Sequence, residues 1–238
     1  KDAELSYAHG LIKGRTGLEE VYDDYLSGNH GQRIYEMNAR GQLVQPLSFY
    51  EPVKGPDLYT NLDIEAQKSA AKYIGNRKGA VVAIDLESGG INVLYSSPVF
   101  SINKLSNGMS DMEFQDLKND PDKPFFNRAL QGRYPPASTI KPAIGMYGLS
   151  NNIVNWDFKM KDPGFFTLPE TGRIYRGWLK GGHGMVDMHK AFLISSNTYF
   201  FSLAYQADIL ELSNHLSNLG FGQKVCLDCF DEDQAFVP

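Results

Sequence analysis

Residues 134–142, with the sequence YPPASTIKP, constrain this chain more than any other segment. Two prolines precede a serine and a lysine that lie three residues apart, Ser138 and Lys141. Proline is tolerated at the start of a helix because the N–H groups there have no intrahelical partner. The segment therefore predicts a helix that begins here and runs to about residue 149. In such a helix Ser138 and Lys141 share one face, one turn apart.

This spacing points to nucleophilic chemistry. The N-terminus of a helix is positively polarised, so a lysine there loses its proton more easily than in water. A neutral lysine can act as general base toward a neighbouring serine hydroxyl. A structural interpretation stays open at this point, in which Ser138 caps the helix and Lys141 points into solvent. Ser-x-x-Lys alone occurs by chance in many chains.

The composition excludes some classes of function. The 238 residues are 42% hydrophobic and 21% charged, which is typical of a soluble globular protein with a sizeable core. The net charge of −5 argues against nucleic-acid binding. No run of about 18 apolar residues and no signal peptide is present in the sequence. The chain begins at Lys1 without an initiator methionine, so we expect it to be part of something longer.

A linker-like segment at residues 51–56 (EPVKGP) divides the chain. Residues 1–56 are rich in glycine and charge and predict short irregular elements, with an amphipathic helix over residues 18–26. Residues 57–238 form the second section. Its helices and hairpin strands do not alternate regularly, which predicts an α+β fold.

The second section carries several local predictions. Thr60 or Asn61 is expected to cap a helix that ends at Gly75. Residues 80–84 predict a buried strand that forms a β-hairpin with residues 91–95. The remaining expectations are a long loop at 101–124, irregular structure at 151–184, a helix capped by Asp187 and a helix over 208–219.

A second polar cluster, Ser195-Ser196-Asn197, lies near the end of the helix that follows Asp187. Taken alone, it is either a polar break in an apolar helix or a helix C-terminus. Beside Ser138 and Lys141 it has a chemical interpretation, because a hydroxyl can relay a proton and an amide can hold a carbonyl. Ser-x-x-Lys, Ser-Asp-Asn and Lys-Thr-Gly together form the signature of penicillin-binding proteins and class A β-lactamases.

The chain resembles the class B penicillin-binding proteins over nearly its whole length, and above all their cell-elongation subfamily. Residues 127–142 (NRALQGRYPPASTIKP) are similar to that family's nucleophile segment, and residues 79–85 (GAVVAID) to its first transpeptidase strand. Residues 14–19 (GRTGLE) resemble part of the non-catalytic pedestal. Asp162-Pro163-Gly164, Gly182-His183-Gly184 and Ser195-x-Asn197 follow in the family's order, and Ser195 lies 57 residues after Ser138, as in this subfamily.

The resemblance implies an α+β penicillin-binding-protein or serine β-lactamase-like transpeptidase domain, with a central antiparallel sheet and helices. Residues 57–238 would be its N-terminal part, and residues 1–56 the remnant of a pedestal domain. The implied activity is peptidoglycan D,D-transpeptidation through a serine acyl-enzyme, without a cofactor. Ser138 would be the nucleophile, Lys141 its base and Ser195 a proton relay, while Asn197 would orient Lys141 and the peptide.

The resemblance also implies partners and a location. The expected ligands are D-alanyl-D-alanine stem peptides and β-lactam antibiotics. The expected protein partners are a membrane glycosyltransferase and scaffold proteins of the elongation complex. The location would be the periplasmic side of the bacterial inner membrane, with the anchoring segment outside this chain.

Three departures from the family's pattern stand out. The third motif, Lys-Thr-Gly, is absent, and we expect it to lie beyond residue 238. Val225-Cys226 stands where Thr-Gly is usual. Some relatives hold a structural zinc with two aspartates, a histidine and a cysteine. Asp162 and His183 match two of those positions, whereas Gly177 and Ser196 replace the others, so we predict no bound zinc.

The cysteines Cys226 and Cys229 form a lone Cys-x-x-Cys. Such a pair can be redox-active or half of a zinc site, but no second pair exists in the sequence to complete one. We expect two ordinary thiols beside an acidic loop.

Two other functions remain open on the sequence alone. A β-lactamase or β-lactam sensor shares the first two motifs, although the pedestal-like residues 1–56 argue against it. A non-catalytic scaffold module of the elongation complex, with idle catalytic-looking residues, is the other.

Overall fold

The computed structural model describes residues 13–237. These residues divide into two compact units. Unit 1 runs to Gly132 and includes Cys226–Asp233, and unit 2 comprises Arg133–Val225 together with the residues from Gln234 onward. The boundary drawn from the sequence between residues 56 and 57 stays a prediction.

Unit 1 consists of two antiparallel hairpins and several short helices. Its helices are α1 (Gly17–Val21), α2 (Asp23–Leu26), α3 (Ile64–Ile74), α4 (Ile102–Ser106) and α5 (Asp111–Asn119). Its strands are β1 (Gln32–Met37), β2 (Leu43–Tyr50), β3 (Gly79–Ile84) and β4 (Ile91–Ser97), and β1 pairs with β2 and β3 with β4. Helix α3 lies on β4, where the Gln67 side chain makes two hydrogen bonds to the Leu94 backbone, at 2.8 and 3.1 Å.

Several local predictions for unit 1 need correction. The cap of α3 is Asp63, whose carboxylate accepts two backbone hydrogen bonds, and neither Thr60 nor Asn61 has that role. The hairpin of β3 and β4 is confirmed, but β3 is not a buried strand: Ile84 is 54% exposed, and among the described residues β3 pairs only with β4.

Three regions predicted to be irregular contain regular structure. Residues 151–184 hold three short strands, Lys159–Asp162, Phe165–Thr167 and Ile174–Arg176. Residues 32–50 form the β1–β2 hairpin. The predicted loop at 101–124 contains α4 and α5, and α5 begins with a capping box in which Ser110 and Glu113 bind each other's backbone N–H. A capping box satisfies two helix N–H groups at once, so it stabilises a helix in a polar segment.

Unit 2 carries the apolar core that positions the polar clusters. Its helices are α6 (Lys141–Ser150), α7 (Met188–Leu193), α8 (Asn197–Gln206) and α9 (Ile209–Asn218). Its strands are β5 (Lys159–Asp162), β6 (Phe165–Thr167), β7 (Ile174–Arg176) and β8 (Gly184–Asp187), paired antiparallel as β5–β8 and β6–β7. The largest buried cluster is Val154, Val186, Met188, Ala191, Tyr199, Phe200 and Leu203.

The predicted helices of unit 2 are confirmed. Asp187 caps α7 through a hydrogen bond to the Lys190 N–H, and Asp208 caps α9. Leu212 and Leu216 face the core from α9, as the apolar spacing indicates. The mixture of antiparallel hairpins and helices is the α+β class that the sequence predicts.

The expectation of two ordinary thiols in unit 1 is wrong. Cys226 and Cys229 form a disulfide bond, which closes a loop of four residues. Asp228 within this loop accepts a hydrogen bond from the Tyr22 hydroxyl at 3.1 Å, so the loop is tied to the end of α1.

None of the helices in residues 13–237 combines the length and the apolar character that a membrane-spanning helix needs.

Candidate active site

Ser138 lies in a 3₁₀ turn, Ala137–Ile140, that leads directly into α6. Lys141 is the first residue of α6, and Pro142 follows in the first turn, where its missing N–H costs nothing. The predicted helix is therefore confirmed from Lys141 onward. Neither the turn nor α6 has a side-chain cap, and Lys141 is only 7% exposed. The interpretation in which Ser138 caps a helix and Lys141 points into solvent is wrong.

The four predicted residues meet at one place in unit 2. Lys141 Nζ donates to Asn197 Oδ1 at 2.7 Å, to the Ser195 carbonyl oxygen at 2.8 Å and to Ser195 Oγ at 3.0 Å. Ser195 Oγ in turn lies 3.0 Å from Ser138 Oγ, to which it donates. A continuous hydrogen-bonded path thus joins the Ser138 hydroxyl to the Lys141 amine through one intervening hydroxyl.

Burial prepares Lys141 for proton transfer. Desolvation lowers the pKa of the Lys141 ammonium below its ordinary value of 10.5, because the charged form loses its hydration. The centroid of the Phe200 ring lies 5.5 Å from Nζ. A lysine in these surroundings reaches its neutral, basic form at lower pH than a lysine on the surface.

Ser195 lies in the short connection between α7 and α8, in an unusual backbone conformation. Its φ angle is +52°, in the left-handed region that non-glycine residues rarely adopt. The Trp178 indole N–H donates to the Ile194 carbonyl at 3.0 Å and so holds the residue before Ser195. Ser196 caps α8 by accepting from the Tyr199 N–H at 3.2 Å. Sequence reasoning missed Trp178, because nothing local links residue 178 to residue 194.

Behind this connection, Asp162 forms a buried cluster of hydrogen bonds. Asp162 Oδ2 accepts from Ser196 Oγ at 2.8 Å and from His183 Nδ1 at 2.9 Å, and Oδ1 accepts from the Gly164 N–H at 2.8 Å. Burial raises the pKa of the Asp162 carboxyl, but hydrogen bonds led by that of His183 outweigh it and lower the pKa overall. Asp162 is therefore an ionised carboxylate inside the protein.

The residues around Asp162 do not fit the zinc site of some relatives. Gly177 has no side chain to offer, and Ser196 presents a neutral hydroxyl that already donates to Asp162. Asp162 Oδ2 is occupied by two hydrogen bonds. A structural zinc needs four ligands, usually thiolate, imidazole or carboxylate. Of the two ligand residues that remain, Asp162 is hydrogen-bonded to Ser196, Gly164 and His183, and His183 is bonded to Asp162 through Nδ1, whereas its buried Nε2 has no hydrogen-bond partner among the described residues. One carboxylate and one imidazole are two ligands, not the four that a structural zinc needs.

The comparison with protein families decides the relationship. Residues 79–237 match the transpeptidase domain of penicillin-binding proteins, and residues 1–60 match the penicillin-binding protein dimerisation domain. This chain belongs to the penicillin-binding protein family. The resemblance inferred from residues 127–142 is thereby confirmed.

Curated relatives narrow the subfamily to penicillin-binding protein 2. The chain is 40% identical over 232 residues to the peptidoglycan D,D-transpeptidase MrdA of Acinetobacter baumannii, covering 98% of the chain and 34% of the relative. It is 34% identical to MrdA of Escherichia coli strain K12, covering 100% of the chain and 37% of the relative. The chain thus spans about a third of the length of the curated relatives that it matches.

Solved structures of penicillin-binding protein 2 share the fold. That of Pseudomonas aeruginosa, in complex with WCK 5153, has a TM-score of 0.81 and 34% identity, covering 94% of this chain and 47% of that one. That of Helicobacter pylori, in complex with MreC, has a TM-score of 0.85 and 31% identity, covering 100% of this chain and 44% of that one.

Proposed function

We propose that this penicillin-binding protein is a peptidoglycan D,D-transpeptidase that cross-links stem peptides through a serine acyl-enzyme during cell elongation. The observation that carries the proposal is the hydrogen-bonded path from Ser138 through Ser195 to Lys141. A serine hydroxyl connected by hydrogen bonds to a nearby base is an arrangement that activates serine for acyl transfer. The curated relatives named D,D-transpeptidase support the choice of reaction.

Acylation begins with attack by Ser138 Oγ on the carbonyl carbon of the penultimate D-alanine. The Ser138 proton passes through the Ser195 hydroxyl to neutral Lys141, and the Ser138 N–H serves as one oxyanion donor. The amide C–N bond then breaks, and the terminal D-alanine leaves after its nitrogen receives that proton back through Ser195. The products are free D-alanine and an ester of Ser138.

Deacylation uses the same groups in the opposite sense. The amine of a neighbouring stem peptide attacks the ester carbonyl and loses a proton toward Lys141. Ser138 Oγ leaves and is reprotonated, and the new amide bond is the cross-link. A β-lactam presents a similar carbonyl group, and attack by Ser138 would open its ring C–N bond and form a different ester on the same serine, with the ring nitrogen still attached to the acyl group.

The Asn197 side chain has an oxygen and a nitrogen, and the oxygen contacts Lys141. Its Oδ1 accepts from Lys141 at 2.7 Å, which fixes the orientation of the amide. The amide nitrogen is then left as a donor for a carbonyl oxygen of the peptide substrate. This division of roles supports Asn197 as the residue that orients both the base and the substrate.

Partners and location follow from the same family membership. The solved relatives include a complex of penicillin-binding protein 2 with MreC and a peptidoglycan synthase complex. We infer for this protein a membrane glycosyltransferase and scaffold proteins of the elongation complex as partners, at the periplasmic face of the inner membrane. Residues 1–60, which match the dimerisation domain, are the part expected to contact them.

The experiment is intact-mass measurement of the full-length protein after incubation with benzylpenicillin. We expect one stable adduct, lost in Ser138→Ala and kept in the control Ser150→Ala, which removes an exposed hydroxyl from the end of α6. The 238-residue chain is measured in parallel.

The same experiment separates the alternatives. Rapid hydrolysis of the penicillin with only a transient adduct would identify a β-lactamase. A full-length protein that forms no adduct at all would refute the transpeptidase and favour a scaffold role.

A further inference from the structure

The connection at Ser195 needs support from its surroundings. A left-handed φ at a non-glycine residue costs free energy, and it persists only where neighbouring contacts hold the backbone in that conformation. Ser195 has such a φ, and its hydroxyl must lie within hydrogen-bond reach of both Ser138 and Lys141. Whatever holds this connection therefore also sets the geometry of the proton path.

Ser196 supplies one part of that support. It is completely buried, and its hydroxyl makes two hydrogen bonds in different directions. It accepts from the Tyr199 N–H at 3.2 Å, which caps α8, and it donates to Asp162 Oδ2 at 2.8 Å, at the end of β5. One hydroxyl thus connects the N-terminus of the helix that carries Asn197 to a strand of the core.

Asp162 is itself held in place from three directions. His183 Nδ1 and the Gly164 N–H bind its carboxylate, and its backbone carbonyl accepts from the His183 N–H at 3.1 Å. Gly182 passes so close to this strand end that an added Cβ would lie 2.1 Å from the Asp162 carbonyl oxygen. The carboxylate is therefore a fixed point, against which Ser196 can be positioned.

We propose that Asp162 and Ser196 are positioning residues for acyl transfer, since the Asp162–Ser196 hydrogen bond holds the connection that aims Ser195 at Ser138 and Lys141. Neither residue touches the reacting atoms. In this chain hydrogen bonds, not a metal ion, hold the connection. The inference rests on the proposed function, because it assigns a role within the same acylation reaction.

The test measures acylation of the full-length protein by a fluorescent penicillin under single-turnover conditions. For Ser196→Ala we expect the acylation rate constant of the competent fraction to fall about tenfold or more, the effect typical of losing a supporting hydrogen bond behind a reactive group. The noncovalent dissociation constant of the penicillin should change less than about twofold, because the residue does not contact the ligand. A purely structural role would lower the competent fraction and leave its rate constant unchanged.

A double-mutant cycle tests whether Ser196 acts through its hydrogen bond to Asp162. Asp162→Asn keeps the size of the side chain but places an amide opposite Ser196 and His183. If Ser196 acts through Asp162, the double variant should be no slower than the slower single variant, whereas independent effects would multiply. Ser202→Ala is the matched control, because it removes a half-buried hydroxyl from the same helix, α8.

The outcomes separate this inference from the proposed function. A wild-type protein that is not acylated would refute the proposed function itself. Normal acylation in wild type together with an unchanged rate constant in Ser196→Ala would refute the positioning role alone. Stoichiometric zinc in the purified wild-type protein would also overturn the inference, because a metal would then hold the connection.

Discussion

Burial determines the chemistry of Lys141. Because desolvation lowers the pKa of this lysine below 10.5, its neutral form grows as pH rises through that lowered value. We therefore expect the acylation rate constant to rise with pH and to reach a plateau above the pKa of Lys141 in the folded protein. Single-turnover acylation by a penicillin over a series of pH values measures this curve.

Lys141→Arg tests the assignment of the base. Arginine keeps the positive charge but does not deprotonate in proteins, so it cannot accept the Ser138 proton. We expect acylation to slow by roughly a hundredfold or more and to lose the rise with pH. Lys159→Arg, at an exposed position, serves as control. A pH profile that stays unchanged in Lys141→Arg would remove Lys141 from the role of base.

At the scale of residues, the sequence predicted which side chains meet in the candidate site but not the contacts that hold them there. Two short motifs contain these side chains, Ser138-x-x-Lys141 and Ser195-x-Asn197, and each can be recognised from a few neighbouring residues. Asp162 and Trp178 act on the Ser195 connection over long sequence separations, through single hydrogen bonds to Ser196 and Ile194. No periodic pattern in the sequence indicates these two hydrogen bonds, so they could be identified only from the folded structure.

At the scale of secondary-structure elements, the N-terminal cap of α3 can be tested. The carboxylate of Asp63 accepts from the Glu65 N–H at 2.8 Å and from the Ala66 N–H at 3.1 Å. Asp63→Ala should destabilise the start of α3 by about 1 kcal/mol, the usual value of a helix cap. Hydrogen exchange at the Glu65 and Ala66 amides measures the effect directly, as loss of protection.

Thr60→Ala is the matched control, because Thr60 is a capping residue type that stands before the same helix. It should leave exchange at both amides nearly unchanged. Loss of protection in Thr60→Ala and not in Asp63→Ala would reverse the assignment of the cap.

Helix α5 and the β1–β2 hairpin were not predicted from the sequence because their local signals are hidden by a polar composition or an irregular register. Helix α5 lies in a polar segment, and its signal is the pair Ser110 and Glu113, three residues apart and joined in a capping box. The β1–β2 hairpin has register shifts between Ile34 and Tyr35 and between Glu36 and Met37. Such shifts break the period-2 alternation from which strands are predicted.

At the scale of the whole molecule, the core of unit 2 supports the site. Leu203 on α8 is 1% exposed and packs against α6, where an added Cβ on Gly148 would lie 2.6 Å from it. Leu203→Ala should lower the free energy of unfolding by about 2–5 kcal/mol, since it removes buried apolar atoms and leaves a cavity. Urea unfolding, followed by a probe in unit 2, measures this loss.

Leu193→Ala is the control for that loss, because Leu193 is 76% exposed at the end of α7. Its effect should stay within about 0.5 kcal/mol. Equal losses in the two variants would contradict the packing described for the core.

The three acceptors around Lys141 determine which way the hydroxyls in the site point. An ammonium has three N–H bonds, and here they are directed at the Ser195 carbonyl, Ser195 Oγ and Asn197 Oδ1. A neutral amine has two N–H bonds and a lone pair, so one of these partners must change from acceptor to donor. Of the three acceptor atoms, only Ser195 Oγ carries a hydrogen, so it can donate to the amine while the Asn197 amide keeps its orientation. When Lys141 loses one proton, the Ser195 hydroxyl therefore donates to the Lys141 amine instead of accepting from it. Ser195 Oγ can then accept from the Ser138 hydroxyl, so both hydrogen bonds between Ser138 and Lys141 change direction.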